Sequence, residues 1–192
     1  GLSYGVIEAL RAMRPEAKFL ELVHRLDRET SGCLLLAKKR SALKDLHLQF
    51  REDDVNKVYL ALLAGQWARS KQMVDAPLKK NVLKSGERMV KVARDGKSAM
   101  TNFKAIQKFR DATLVEASPI TGRTHQIRVH MQSIGHPIVC DELYGDGKPF
   151  LLSVIKKKYN LSKKEEAEKP LMNRLALHAY RLQFTKEDGT EV

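Results

Sequence analysis

Residues 100–117, MTNFKAIQKFRDATLVEA, set the architecture. Two apolar-rich runs, 100–109 and 112–117, flank a short polar turn at Arg110-Asp111, the pattern of an antiparallel hairpin. Outward from this hairpin, residues 89–93 and 175–184 read as strands. So does 58–63, closed by Gly65, where Tyr59, Ala61 and Leu63 share one face and Val58, Leu60 and Leu62 the other. Residues 33–38 predict a buried strand. Strands joined by hairpins, with a few helices interspersed, predict an α+β fold around a mixed, mostly antiparallel sheet.

Three helices are expected. Val6, Ile7, Leu10 and Met13 form a helical stripe over 3–13, with Ser3 as N-cap and Pro15 as terminator. A second helix is predicted over 42–52, capped by Ser41, with Leu43, Leu46 and Phe50 as its buried face. A third starts after the turn Thr121-Gly122-Arg123-Thr124. Its apolar residues Ile127, Met131 and Ile134 recur at helical spacing, and Gly135-His136-Pro137 stops it. Residues 66–86, polar and broken by Pro77 and Gly86, predict a long excursion with little regular structure. Residues 145–170, with lysines at 156–158, 163 and 164, read as a solvated surface insertion or as a direct RNA contact.

The chain has 192 residues, 43% of them hydrophobic, enough for a proper core. Lys plus Arg (35) exceeds Asp plus Glu (23) by 12, which favours a polyanionic partner, nucleic acid above all. No apolar run approaches the roughly 18 residues of a membrane span, and no secretion signal opens the chain. Cys33 and Cys140 lie far apart, outside any CxxC pair, and read as buried thiols. Zinc lacks clustered ligands.

Residues 21–32, ELVHRLDRETSG, place one acid, Asp27, between Arg25 and Arg28 and close on a turn signal. Flanking cations stabilise a carboxylate's charge, which suits a metal-free nucleophile acting on an anionic substrate. An ordinary surface Arg-Asp-Arg cluster would have the same sequence. Residues 119–131, PITGRTHQIRVHM, lead through a glycine turn into a helix N-terminus, whose free N–H groups and dipole favour a phosphate beside Arg123. Arg128 falls beside the stripe of Ile127 and Met131, where it can sit half-buried against a carboxylate. Plain surface solvation is the alternative for both arginines. His125 and His130, five apart, do not share a helical face, so structural hydrogen bonding is expected of them rather than metal ligation.

HRLDRETSG, KVYLALLAG, GRTHQIRVH and RLALHAYRLQF, in this order and spacing, resemble the RluA-type family of RNA pseudouridine synthases across almost the whole chain. Residues 1–12, 38–47 and 85–92 resemble in particular its RluC branch, which modifies uridines in large-subunit (23S) ribosomal RNA. The resemblance implies the pseudouridine synthase catalytic fold and a metal-free, cofactor-free isomerisation with base flipping. The implied setting is a monomer on structured ribosomal RNA in a bacterial-type cytoplasm, without a membrane. It makes Asp27 the catalytic acid, and Arg25 the residue that fills the space vacated by the flipped uridine. Tyr59 would stack on the target base and handle the C5 proton, and Arg128 would pair with Asp27. Arg123, His125 and Gln126 would contact RNA, and Leu175 or Leu177 would supply an apolar wall. Family members normally carry a Lys-Pro-x-Gly strand just before the point where this chain begins, and many carry an N-terminal S4-type RNA-binding domain. Residues 1–192 are accordingly expected to be a catalytic domain truncated at both ends, the last strand included. The alternatives are a non-catalytic RNA-binding module of the same ancestry, a synthase acting on tRNA, or, outside the family, an Asp/His nuclease.

Overall fold

The computed structural model describes residues 5–82, 88–156, 158–160, 167–186 and 188–192. Its elements run α1 (Val6–Met13), β1 (Glu21–Leu22), β2 (Ser31–Gly32), β3 (Leu36–Ala37), α2 (Arg40–Arg51), β4 (Asn56–Ala64) and β5 (Lys71–Asp75). They continue as β6 (Leu78–Val82), β7 (Arg88–Val92), β8 (Met100–Lys108), β9 (Ala112–Pro119), α3 (Gln126–Ser133), α4 (Leu152–Ile155) and β10 (Leu177–Gln183). Six strands form the main sheet in the order β2-β10-β4-β9-β8-β5. β2 runs parallel to β10, and every other pairing is antiparallel. The mixed, mostly antiparallel α+β fold is therefore the observed one. Two-stranded ribbons, β1-β3 and β6-β7, flank the sheet.

Alternation along the hairpin explains its place. Thr101 and Phe103 of β8 and Val115 and Ala117 of β9 are buried on one face, with Ala61 and Leu63 of β4 beside them. Ile127 and Met131 of α3 pack onto this core, as do Ile138, Leu175 and Trp67. A second cluster joins the β6-β7 ribbon to α3 through Leu78, Val90, Val129 and Tyr144. A third seats α2 on the β1-β3 ribbon through Leu46, Val23 and Ala37, with Leu43 and Phe50 alongside. No helix among the described residues is long and apolar enough to cross a membrane.

Several expectations are corrected. Residues 33–38 are not one strand: only Leu36–Ala37, β3, pair with a neighbour, β1, while β2 ends at Gly32 in the main sheet. Gly32, the last residue of β2, has φ +114°, residues 33–35 lead on to β3, and Cys33 is exposed rather than buried. The 66–86 region contains β5 and β6. β5 pairs only with β8, so its outward residues Lys71, Met73 and Asp75 remain in solvent and hide the strand signal. Gly86, the breaker expected there, lies outside the described residues. α1 buries none of its residues, leaving Val6 and Met13 exposed. Arg11 ties it by one edge to the Leu20 carbonyl and Glu21. Its cap is Gly5, with Ser3 outside the described residues. α2 starts earlier than expected, with Lys39 rather than Ser41 at its N-cap. Of the lysine-rich segment, residues 157 and 161–166 lie outside the described residues.

The β2-β10 contact leaves no room for a side chain at Gly32, where a Cβ would stand 2.1 Å from the Ala179 carbonyl oxygen. Gly32→Ala is expected to lower stability by more than ~1 kcal/mol in urea titration, since both φ and contact oppose it. An unchanged midpoint would contradict this packing.

Candidate active site

The 23–30 loop, β4, the 119–128 stretch and Leu177 of β10 enclose a cleft of about 370 Å³. That volume sits at the small end of ligand sites, roughly 300–1,000 Å³. Asp27 enters it from the loop, where the Thr30 N–H closes a turn onto the Asp27 carbonyl at 3.0 Å. Its side chain is 24% exposed. Arg25 stands exposed on the same loop and also lines the cleft. Thr30 lines it as well, and its Oγ1 is the one buried side-chain oxygen or nitrogen without a partner among the described residues.

Tyr59 reaches the cleft because Ala61 and Leu63, on its own face of β4, run on into the core. Burial, and then the charge of Asp27, push its phenol up to about 12. Near pH 7 it is therefore a neutral ring with a hydroxyl, not a phenolate.

Arg128 lies in the same cleft, 4% exposed, but its partner is not Asp27. Its Nε and one terminal nitrogen donate to the two carboxylate oxygens of Asp141, at 2.8 and 2.7 Å. This bidentate pair corrects the expected Arg128–Asp27 pairing. Asp141 is fully buried on the turn after Ile138-Val139-Cys140, and its Oδ1 also accepts the N–H groups of Leu143 and Tyr144 at 3.0 Å each. Burial works against the guanidinium's charge, but the hydrogen bonds and charge of Asp141, with Asp27 adding less, raise the Arg128 pKa. Arg128 thus contributes to the field around Asp27 while its fork is occupied elsewhere. Its guanidinium carbon also lies 5.1 Å from the centre of the Tyr144 ring.

His125 is the group facing the acid, with Nε2 3.8 Å from Asp27 Oδ1. Burial lowers its pKa and outweighs the pull of Asp27. Its other ring nitrogen is 2.8 Å from the Tyr144 hydroxyl. Gln126 also lines the cleft, yet its amide is committed inward. Nε2 donates to the Met100 carbonyl and Thr101 Oγ1, and Oε1 accepts from Thr121 Oγ1 and the Arg123 N–H. It shapes the loop and has no polar atom left for RNA, a correction to its expected role. Arg123 is exposed, with Nε donating to the Ser98 carbonyl at 2.9 Å. Of the two expected wall residues, Leu177 lines the cleft, whereas Leu175 is wholly buried in the core beneath it. His130 is a structural histidine, between Thr101 Oγ1 and the Ala76 carbonyl at 3.0 Å each. Among the described residues no group of three or more His, Cys, Asp or Glu could hold a metal.

Sequence reasoning passed over Lys57, His24, Asp141 and Tyr144. Lys57 lines the cleft with its side chain 7% exposed, 3.7 Å from Asp53, and burial lowers its pKa against the pull of that acid. It stands two residues before Tyr59 on the same strand face, a signal present in the K-x-Y spacing. His24 also lines the cleft, accepts the Leu35 N–H at 3.0 Å and stacks on Phe50.

A fold with this sheet, and a cleft holding one acid among cations and a half-buried tyrosine, defines a class. The chain belongs to the RNA pseudouridylate synthase family, whose model matches residues 8–133. It is 55% identical over 184 residues to the ribosomal large subunit pseudouridine synthase C of Haemophilus ducreyi, covering 96% of this chain and 53% of that protein. To the protein of the same name from Escherichia coli K12 it is 54% identical over 192 residues, 100% of this chain and 56% of that one. The chain therefore spans about half the length of the curated relatives it matches. Among solved structures, the human RNA pseudouridylate synthase domain containing 1 superposes with a TM-score of 0.73 at 27% identity. That match covers 96% of this chain and 72% of the human one. Domain containing 4 gives 0.69 at 27% identity, covering 97% and 76%.

The raised Tyr59 phenol is open to direct measurement. In rapid pH jumps followed at the phenolate band, the difference between wild type and Tyr59→Phe is expected to titrate near 12. A difference titrating at the ordinary value of about 10 would mean that Tyr59 is not packed into the cleft beside Asp27.

Proposed function

We propose that this chain carries the catalytic part of an enzyme that isomerises specific uridines to pseudouridine in large-subunit (23S) ribosomal RNA, with Asp27 as the reactive group. The observation that carries this reading is the joint lining of one cleft by Asp27, Tyr59 and the cations Arg25, Lys57 and Arg128. The names of the relatives support the substrate class.

The isomerisation breaks the N1–C1′ bond, turns the uracil and joins C5 to C1′; the C5 proton is lost and N1 ends protonated, so atoms balance. One carboxylate suffices, whether Asp27 adds to the ring, attacks C1′ or takes a ribose proton. The neutral phenol of Tyr59 suits stacking on the base and hydrogen bonding; it is a poor base near pH 7. Leu177 adds an apolar wall. Unstacking the uridine costs a few kcal/mol, offset by contacts in the cleft and by Arg25 entering the vacated space.

A second groove of about 380 Å³ shares Gly122 and Arg123 with the cleft. Lys79, Lys80, Lys97 and Arg123 line it against one acid, Asp95, which pairs with Lys79. This cationic path suits the phosphates of RNA flanking the target. We take the working species to be a monomer that uses neither metal nor membrane and acts in the cytoplasm.

Carbodiimide labelling of large-subunit RNA treated with the chain, read by primer extension, tests the reading. Wild type is expected to give stops at single uridines, and Asp27→Asn none, with RNA binding retained. Arg25→Ala is expected to slow modification of folded RNA more than of single strands. Stops with the Asp27→Asn variant would overturn the role of Asp27. RNA cleavage would point to a nuclease, and binding without stops by wild type to a non-catalytic module.

A further inference from the structure

The Tyr144 hydroxyl has a constrained set of partners. The Val90 N–H donates to its oxygen at 2.9 Å, and His125 Nδ1 lies 2.8 Å away. Tyr144 is 6% exposed, so its own O–H must find an acceptor inside the protein. The peptide nitrogen of Val90 is a fixed donor and takes one oxygen lone pair. Nδ1 is then the acceptor within reach, which leaves the ring proton of neutral His125 on Nε2, the nitrogen facing Asp27 at 3.8 Å.

The surroundings hold this chain in place. Asp141 binds the Tyr144 N–H at 3.0 Å and clamps Arg128, whose guanidinium lies over the Tyr144 ring. His125 itself is the N-cap of α3 in a left-handed conformation, φ +52°, and Cys140, next to Asp141, has φ +59°. Only three non-glycine residues among those described have positive φ, and two of them flank this assembly. Such outliers mark sites where the surrounding structure over-determines the backbone.

We infer that Tyr144 is a positioning residue: its hydroxyl fixes His125 in the Nε2–H form, so that a neutral donor rather than a cation faces the Asp27 carboxylate. The inference rests on Asp27 being the reactive acid. A cation at that distance would hold the carboxylate in an ion pair and weaken it as nucleophile or base, whereas a neutral N–H orients it and leaves it reactive. The charged and titratable groups facing His125 are Asp27 and Arg25 from the loop, Arg128 from α3, and Asp141 and Tyr144 from the turn. Donation from Tyr144 favours neutral His125, so its loss is expected to raise the histidine's pKa toward the ordinary value. Activity then fails at a higher pH on the acid side.

Tyr144→Phe keeps the ring over Arg128 and removes the hydroxyl alone. Expected is a fall of about tenfold in kcat, below the roughly 10²–10⁴-fold of a direct general acid or base because Tyr144 acts through His125, with KM for RNA unchanged and the acid limb of the pH profile moved upward. Loss of the Val90 contact will also lower Tm, so the deciding readout is one that destabilisation does not move. Two-dimensional ¹⁵N spectra of the histidine rings should show His125 as the Nε2–H tautomer in wild type and as a mixture in Tyr144→Phe. An Nδ1–H tautomer in wild type, or an unmoved acid limb in the variant, would overturn the proposal. Absence of pseudouridine with wild type would instead overturn the assigned reaction, leaving the spectra to judge the histidine.

Discussion

The bidentate pair between Arg128 and Asp141 is the contact on which the site depends. Both partners are almost fully buried, so each is desolvated, and only the paired geometry with its added hydrogen bonds offsets that penalty. Asp141 supplies those additions through the Leu143 and Tyr144 N–H groups, while its backbone carbonyl accepts the N–H of Gly145 at 2.9 Å. A buried pair of this kind adds little net stability over an apolar one. What it fixes here is relative position: the turn after Cys140 is locked to α3, and with it Tyr144 is locked to His125. Gly145 is part of the same fit, since a Cβ there would stand 2.9 Å from the Asp141 carbonyl.

From that lock follows the charge arrangement of the cleft. With its Nε edge gripped by Asp141, the guanidinium makes no hydrogen bond to Asp27, whose side chain is 24% exposed while still feeling a nearby positive charge. Tyr59 responds to the same field, its phenol held neutral by burial and by Asp27. Lys57 and Arg25 surround the acid without an ion pair to it among the described residues. The result is an acid that is near cations but bonded to none of them.

Much of the fold was legible because its signals are local. The 100–117 hairpin, the K-x-Y strand and the stripe of Ile127 and Met131 each declare themselves within fewer than twenty residues, as does the pairing of Arg128 with a carboxylate, though Arg128 is buried rather than half-buried. What escaped depends on backbone conformation and on packing that the residue pattern does not record. Asp141 is recognisable as the partner of Arg128 only once the left-handed Cys140 and the close-packed Gly145 bring its turn back onto α3. Residues 33–38 looked like one strand because their apolar run is continuous, yet only Leu36–Ala37 find a pairing partner, in β1. β5 was hidden by the polar residues an edge strand keeps in solvent, and Lys57 by the expectation that a lysine in a strand faces water.

The central claim is that Arg128 is bound by Asp141 and not by Asp27. Double-mutant cycles on urea stability test it directly, with Arg128→Met combined in turn with Asp141→Asn and with Asp27→Asn. A coupling of roughly 2–3 kcal/mol for the Asp141 cycle and below about 0.5 kcal/mol for the Asp27 cycle is predicted. The opposite ranking, with the larger coupling to Asp27, would contradict the account.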